Sequence, residues 1–174
     1  MRRHITIAAA AAALLATPVM AQRAGSVEAG LLGRATLFDP SLMVTTAVGI
    51  GARASVFLHP RWLVDVEVST AGVDGLAGRT NVSYQPLRLR VNALRPASES
   101  GQIVAGLGLV ATRFGGDFGE SDAGLTALLG FRVALPRSLV ARVDGTLDYV
   151  PAPANGAANN WNAGLQVGIS YRFK

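Results

Sequence analysis

Over the last twelve residues, Ala163 to Lys174, apolar and polar side chains alternate without a break. Leu165, Val167, Ile169, Tyr171 and Phe173 fall on one parity, and Gly164, Gln166, Gly168, Ser170 and Arg172 on the other. A period of two puts the two sets on opposite faces of a β-strand. The same pattern recurs upstream. Val27 to Leu37 sets Val27, Ala29, Leu31, Ala35 and Leu37 against Glu28, Arg34 and Thr36. A second strand over about Val44 to Leu58 sets Val48, Ile50, Ala52, Ala54 and Val56 against Arg53 and Ser55. The third sets Trp62, Val64, Val66 and Val68 against Asp65 and Glu67.

The fourth strand, about Thr80 to Ala93, breaks the rule. Val82 and Tyr84 share one parity, while Leu87, Leu89 and Val91 occupy the other, opposite Arg88 and Arg90. Proline cannot donate to a ladder, so the slip at Gln85-Pro86 predicts a bulge. Strands five to seven return to strict alternation. Ile103 to Thr112 is followed by Asp122 to Val133, which carries Arg132, and by Leu139 to Tyr149, which carries Arg142, Asp144 and Asp148. The closing strand begins near Trp161, making eight.

The connections come in two sizes. His59 to Arg61, Pro136-Arg137 and the longer Leu94 to Gly101 read as turns, and the other four connections are loops such as "TAGVDGLAG" and "PAPANGAANN". If both chain ends lie on one side, the three turns share it and the four loops lie opposite. Even strand number, long strands, and short turns facing long loops define a bacterial outer-membrane barrel with periplasmic termini. The expected fold class is therefore all-β, an eight-stranded antiparallel up-and-down transmembrane β-barrel.

The first residues read differently. "MRRHITIAAAAAALLATPVMA" has a basic start, an apolar run and a small-x-Ala end, so residues 1–21 are expected to be a cleavable signal peptide and 22–174 the barrel. The chain lacks cysteine, which excludes disulfides and thiolate metal sites. Without residues 1–21 its 14 basic and 11 acidic residues leave a mild, scattered positive charge, which gives no reason to expect nucleic acid as a partner.

Which face meets water decides the function class. A soluble lipocalin-like barrel would hold the apolar face inside, around an apolar ligand; a membrane barrel would hold the charges inside. Lysine occurs once, at Lys174, which is too few for a solvated sheet face. The polar parity is rich in glycine (Gly106, Gly108, Gly130, Gly164 and Gly168 among them), which makes room for bulky neighbours in a narrow lumen. The expected lumen ion network is Glu28, Arg34, Arg53, Asp65, Glu67, Arg88, Arg90, Arg132, Arg142, Asp144, Asp148 and Arg172, with Asp122 on the same parity. Arg88 and Arg90 are expected to meet Asp65 and Glu67, and Arg172 to meet Glu28. On the apolar parity Trp62, Tyr84, Tyr149, Trp161, Tyr171 and Phe173 are expected to form an aromatic girdle. Trp161 and Phe173, twelve residues apart, would span on the order of 30 Å at ~3.3 Å per residue and ~40° tilt, the height of an apolar belt.

The signal-like leader, the eight alternating strands and the ending "SYRF" resemble the small outer-membrane β-barrel proteins of OmpA and OmpX type. The resemblance implies a terminal strand read through its aromatic residues, here Tyr171 and Phe173, by the barrel assembly machinery. It also implies outer-membrane lipid and lipopolysaccharide as surroundings. Some barrels of this size modify lipid A with a histidine at the outer rim. The histidines of this chain are His4, in the leader, and His59, in a turn on the periplasmic side, so a non-enzymatic barrel is expected. "GIGARA" and "GLGLVA" satisfy a dinucleotide fingerprint in letters, but the alternation runs straight through them and no helix begins there. No cofactor and no metal are expected. The leading expectation is an envelope protein with a plugged lumen; a soluble carrier and a narrow channel are the alternatives.

Overall fold

The structure, a computed structural model, describes residues 23–73, 82–116, 119–153, 157 and 159–173. The expected signal peptide lies outside the described residues, as do Lys174 and the middle of the loop after the third strand. Eight strands form: β1 (Val27–Leu37), β2 (Ala47–His59), β3 (Trp62–Val73), β4 (Val82–Pro96), β5 (Gly101–Gly115), β6 (Ser121–Ala134), β7 (Leu139–Pro151) and β8 (Asn159–Phe173). Each pairs antiparallel with its sequence neighbours, and β8 pairs with β1, so the sheet closes into an up-and-down barrel. Closure removes the unpaired edges that an open sheet would expose.

The register sets the width. A path across the hydrogen-bond ladders from Val27 runs through Val56, Val64, Val91, Leu107, Ala127, Leu147 and Ala163, and returns to β1 at Leu37, ten residues from its start. For eight strands that stagger gives a tilt of about 40° and a backbone radius of about 8 Å, an interior that side chains fill. Every residue on the path is aliphatic, and every one points outward.

Outward exposure of aliphatic residues continues over the whole wall. Leu31, Ile50, Val68, Leu89, Leu107, Leu125, Val143 and Val167, one from each strand, are all exposed. Trp161 stands at the loop end of β8 with Tyr149 packed on it at 4.5 Å between ring centroids. Trp62, Tyr171 and Phe173 are exposed at the turn end, where the last two rings meet at 5.0 Å. The polar parity turns inward. Such a molecule would present water with an uninterrupted apolar wall, far beyond the patches that soluble monomers carry.

Two expectations are corrected in β4. The strand has no bulge: Val68 pairs with Leu87 and Ala71 with Tyr84 at one constant offset, and β5 follows β4 without a shift. The irregularity in the described sheet falls elsewhere, between Phe57 and His59 at the β2–β3 turn. Tyr84 accordingly faces the lumen, 1% exposed, and does not join the aromatic girdle. The parity break in the sequence marks a change in what fills the interior: β4 contributes Arg90 and Arg88 at mid-height, then Pro86, Tyr84 and Val82 towards the loops. An apolar residue on the inner parity near the loop end belongs to a cap, not to a shifted strand.

The β1–β2 loop folds over that end. Asp39 caps the short 3-10 turn Pro40–Leu42, accepting from the Ser41 amide at 2.9 Å, and also accepts from the Trp161 amide at 3.1 Å. Met43 then takes a left-handed conformation that turns Leu42 and Val44 inward. Hydrogen bonds from the Ser41 side chain, the Ser41 amide and the Trp161 amide hold the Asp39 carboxyl below its ordinary range. A depressed carboxylate stabilises above its unfolded pKa and loses that contribution as pH falls through its folded value. Protection of the Ser41 and Trp161 amides from exchange, relative to an unstructured peptide at the same pH, is therefore expected to hold at neutral pH and to fall below about pH 4, and to be low at every pH in Asp39→Ala.

The wall makes a second prediction. Leu89→Arg places a charge at mid-wall and should cost about 2–4 kcal/mol of folding free energy in bilayers, measured by urea titration, whereas Arg95→Leu at the inner rim should change it little.

Candidate functional site: the charged lumen

Strand alternation delivers all twelve residues of the expected network to the interior, and all twelve are buried. Cross-strand register then chooses partners. Asp65 lies opposite Arg90 and Glu67 opposite Arg88 on β3 and β4; Glu28 lies opposite Arg172 on β1 and β8. Arg90 Nε donates to Asp65 Oδ1 at 3.2 Å, Arg88 Nη1 to Glu67 Oε1 at 3.3 Å, and Arg172 Nε to Glu28 Oε1 at 2.7 Å.

Glu67 is the centre. It meets Arg53 at 2.8 Å, Arg90 at 2.5 Å, Arg88 at 3.3 Å and Arg34 at 3.6 Å, and accepts from Gln166 Nε2 at 3.0 Å. Towards the loops, Asp148 takes Arg88 through Nε and Nη2, the latter at 2.6 Å, and accepts from the Thr126 hydroxyl at 2.7 Å. Arg34 fans into the same layer, donating to Thr36, Gln166 and Thr146 at 2.9–3.0 Å. Towards the turns, Asp144 holds Arg142 at 2.7 Å and Arg53 at 3.0 Å, and Asp65 holds Arg142 at 3.5 Å. At the turn end Arg132 and Arg172 share Glu28 Oε1, both guanidinium groups standing over the Phe57 ring at 5.3 and 5.8 Å. Asp122 sits half-buried on β6 opposite Thr112, near the loops.

Glycine makes this packing possible. A Cβ at Gly164 would strike the Arg34 guanidinium and the Thr146 hydroxyl, and one at Gly130 would strike the Asp144 carboxylate. Larger residues there would push apart the strands that hold the network.

Both ends of the network are closed by apolar side chains. Leu42, Val44, Ala47, Val73, Val82, Tyr84 and Phe114 pack at the loop end, with Phe38 edge-on to Tyr84 at 4.9 Å. Phe57, Leu63, Leu94, Val104 and Leu128 form the cluster towards the turns. Charges held between two apolar caps see little water, and their mutual attraction is correspondingly strong. Tyr84 joins both parts: its ring belongs to the outer cap and its hydroxyl accepts from Arg88 Nη2 at 3.4 Å.

The caps and the neutral partners are absent from the sequence-based site. Thr36, Thr126, Thr146 and Gln166 lie on the polar parity, so their inward direction is readable; their roles depend on the barrel's stagger. The signal for the caps is an aliphatic or aromatic residue on the polar parity close to a strand end, as with Phe57, Leu63 and Leu94.

The paired carboxylates Asp65 with Glu67 and Asp144 with Asp148 are engaged by guanidinium groups and shielded from solvent. His59 is exposed beside the β2–β3 turn, where its Nδ1 accepts from the Arg61 amide at 3.2 Å. No group of three potential metal ligands occurs among the described residues.

No family model matches the chain, and no curated protein does. Solved structures do. OprG of Pseudomonas aeruginosa, an outer membrane protein, matches with a TM-score of 0.63 at 15% identity over 89% of this chain and 99% of that one. The fold is that of the small outer-membrane barrels. Neisserial surface protein A matches with a TM-score of 0.65 at 16% identity, covering 85% of this chain and 96% of its own. The N-terminal β-barrel domain of Pseudomonas aeruginosa OprF gives 0.64 at 14% identity, covering 87% and 100%. At such identities the backbone is shared, while the contents of the lumen must be read from this chain.

Arg88→Leu tests the network. It leaves Asp148 without its closest cation and removes one of the four from Glu67; loss of one member of a buried pair costs about 3–5 kcal/mol, to be read from unfolding in urea with bilayers present. Arg88→Leu combined with Asp148→Leu should recover part of that loss, since no lone carboxylate remains.

Proposed function

We propose that the chain is an integral outer-membrane protein without enzymatic activity, with a structural or surface-contact role in the bacterial envelope. One observation carries this reading: the aliphatic side of the sheet faces outward around the whole barrel, and the charged side is enclosed between two apolar caps. Bilayer hydrocarbon is the surrounding that welcomes the first and forces the second. The leader at residues 1–21 exports the chain, the aromatic residues of β8 offer the assembly machinery its signal, and outer-membrane lipid and lipopolysaccharide surround the wall.

A soluble carrier needs an apolar interior with room for its ligand. This lumen holds seven arginines and five carboxylates instead. A channel needs a continuous wet path, and Phe38, Tyr84, Phe114, Phe57 and Leu63 stand in it. Functional surface is left to the four loops on the end opposite the termini. For the acyl-modifying chemistry of some small barrels, His59 is at the wrong end.

Four measurements test the proposal together. Cell fractionation should recover the protein with outer membranes, and external protease should cut the loop between β7 and β8 in whole cells. The folded form should need detergent and migrate differently on unboiled and boiled gels. Planar bilayers containing it should show no stable single-channel steps. Recovery from the periplasm without detergent, or reproducible conductance, would refute the proposal in its respective part.

A further inference from the structure

The buried charges of the lumen do not balance. Seven arginines face five carboxylates among the described buried residues, and half-buried Asp122 adds a sixth only near the loops. Guanidinium groups do not deprotonate in proteins, so the excess of positive charge towards the turns cannot be relieved by titration. It is also unevenly placed. Arg132 and Arg172 rest on a single oxygen of Glu28. Arg142 shares Asp144 with Arg53, and Asp65 with Arg90 and Arg53.

The three arginines with the weakest compensation come from adjacent strands, β6, β7 and β8. Arg132 and Arg142 are direct cross-strand partners, a like-charge pairing that ordinarily destabilises a sheet. Arg132 is repelled by both Arg172 and Arg142. Each of the three keeps a buried guanidinium nitrogen without a hydrogen-bond acceptor: Arg132 Nη1, Arg142 Nη2 and Arg172 Nη2. All three residues are more than nine-tenths buried. Water can meet a lone N–H, but it cannot cancel a charge, and buried unpaired charge is strongly unfavourable.

We propose that the turn end of the lumen is a binding site for one small tetrahedral dianion of the sulfate or hydrogen phosphate class, held by Arg132, Arg142 and Arg172. A dianion offsets the positive charge that Arg132, Arg142 and Arg172 concentrate towards the turns, and guanidinium forks match the oxygens of such an anion. Entry is from the periplasmic side. Arg132 and Arg172 stand over the Phe57 ring of the turn-end cluster, so an anion reaches them from that side as these side chains move apart. The site rests on the lumen geometry and not on the envelope role, so it can fail while that role stands.

Sulfate is the probe, because it is a dianion at all accessible pH. Thermal unfolding of the folded barrel in zwitterionic detergent is followed while sodium sulfate replaces sodium chloride at constant ionic strength. The midpoint should rise by on the order of a few degrees per tenfold sulfate beyond a millimolar-or-lower threshold, as mass-action binding requires. General salting-out by sulfate is instead linear, confined to high concentration and common to all variants. Arg132→Gln removes one surplus charge and should flatten the low-concentration rise. Ser170→Asp supplies a carboxylate between Arg142 and Arg172, on a lumen position facing Gly30 and Val140. It should raise the midpoint in sulfate-free chloride and abolish the sulfate response. A parent midpoint indifferent to sulfate at constant ionic strength overturns the site, even if Arg132→Gln fails to fold. So does an Ser170→Asp barrel that is less stable than the parent without sulfate, or one that responds to sulfate as the parent does.

Discussion

Hydrocarbon offers charges nothing, and this barrel is organised around that fact. A chain whose strands carry their arginines and carboxylates on one parity can span a bilayer only by turning them inward and giving each a partner. Once they point inward, a radius of about 8 Å leaves no room for bulk water. The side chains must then satisfy one another. Glu67 shows the result, with four guanidinium groups and a glutamine amide converging on one carboxylate.

The rest of the molecule serves this enclosure. Glycine at the positions beside Arg34 and Asp144 admits bulky head groups without splaying the strands. Threonine and glutamine fill the donor and acceptor sites that ion pairs alone leave over. The apolar caps keep solvent from the network, and Tyr84 joins the outer cap to Arg88 by one hydroxyl. The same caps stand across the lumen at both ends. The base of the loop surface is tied down by Asp39 between the 3-10 turn and β8.

Strand number, strand direction and the side each residue faces were legible in the sequence because a two-residue period is a local property. Partners such as Arg172 with Glu28 were legible too, since antiparallel closure of the last strand on the first brings their ends together. Tyr84 was not. Its parity was read against an apolar outer face, and the change of the interior from charged to apolar along β4 became a supposed bulge at Gln85-Pro86. Local periodicity cannot separate a shifted strand from a lumen whose contents change with depth. The convergence of Arg34, Arg53, Arg88 and Arg90 on one glutamate was also illegible. It depends on the ten-residue stagger between Val27 and Leu37, a sum over all eight ladders that no single strand encodes.

The orientation of the two faces is the claim beneath everything else, and magnetisation transfer from lipid chains reads it directly. In nanodiscs of methyl-labelled protein, the methyl groups of Leu107, Leu109, Val167 and Ile169 should show strong nuclear Overhauser contacts to acyl-chain methylenes, while those of Val104, Val110 and Leu128 show none. Contacts distributed the other way round, with Val104 and Val110 against lipid and Leu107 and Val167 shielded from it, would contradict the account.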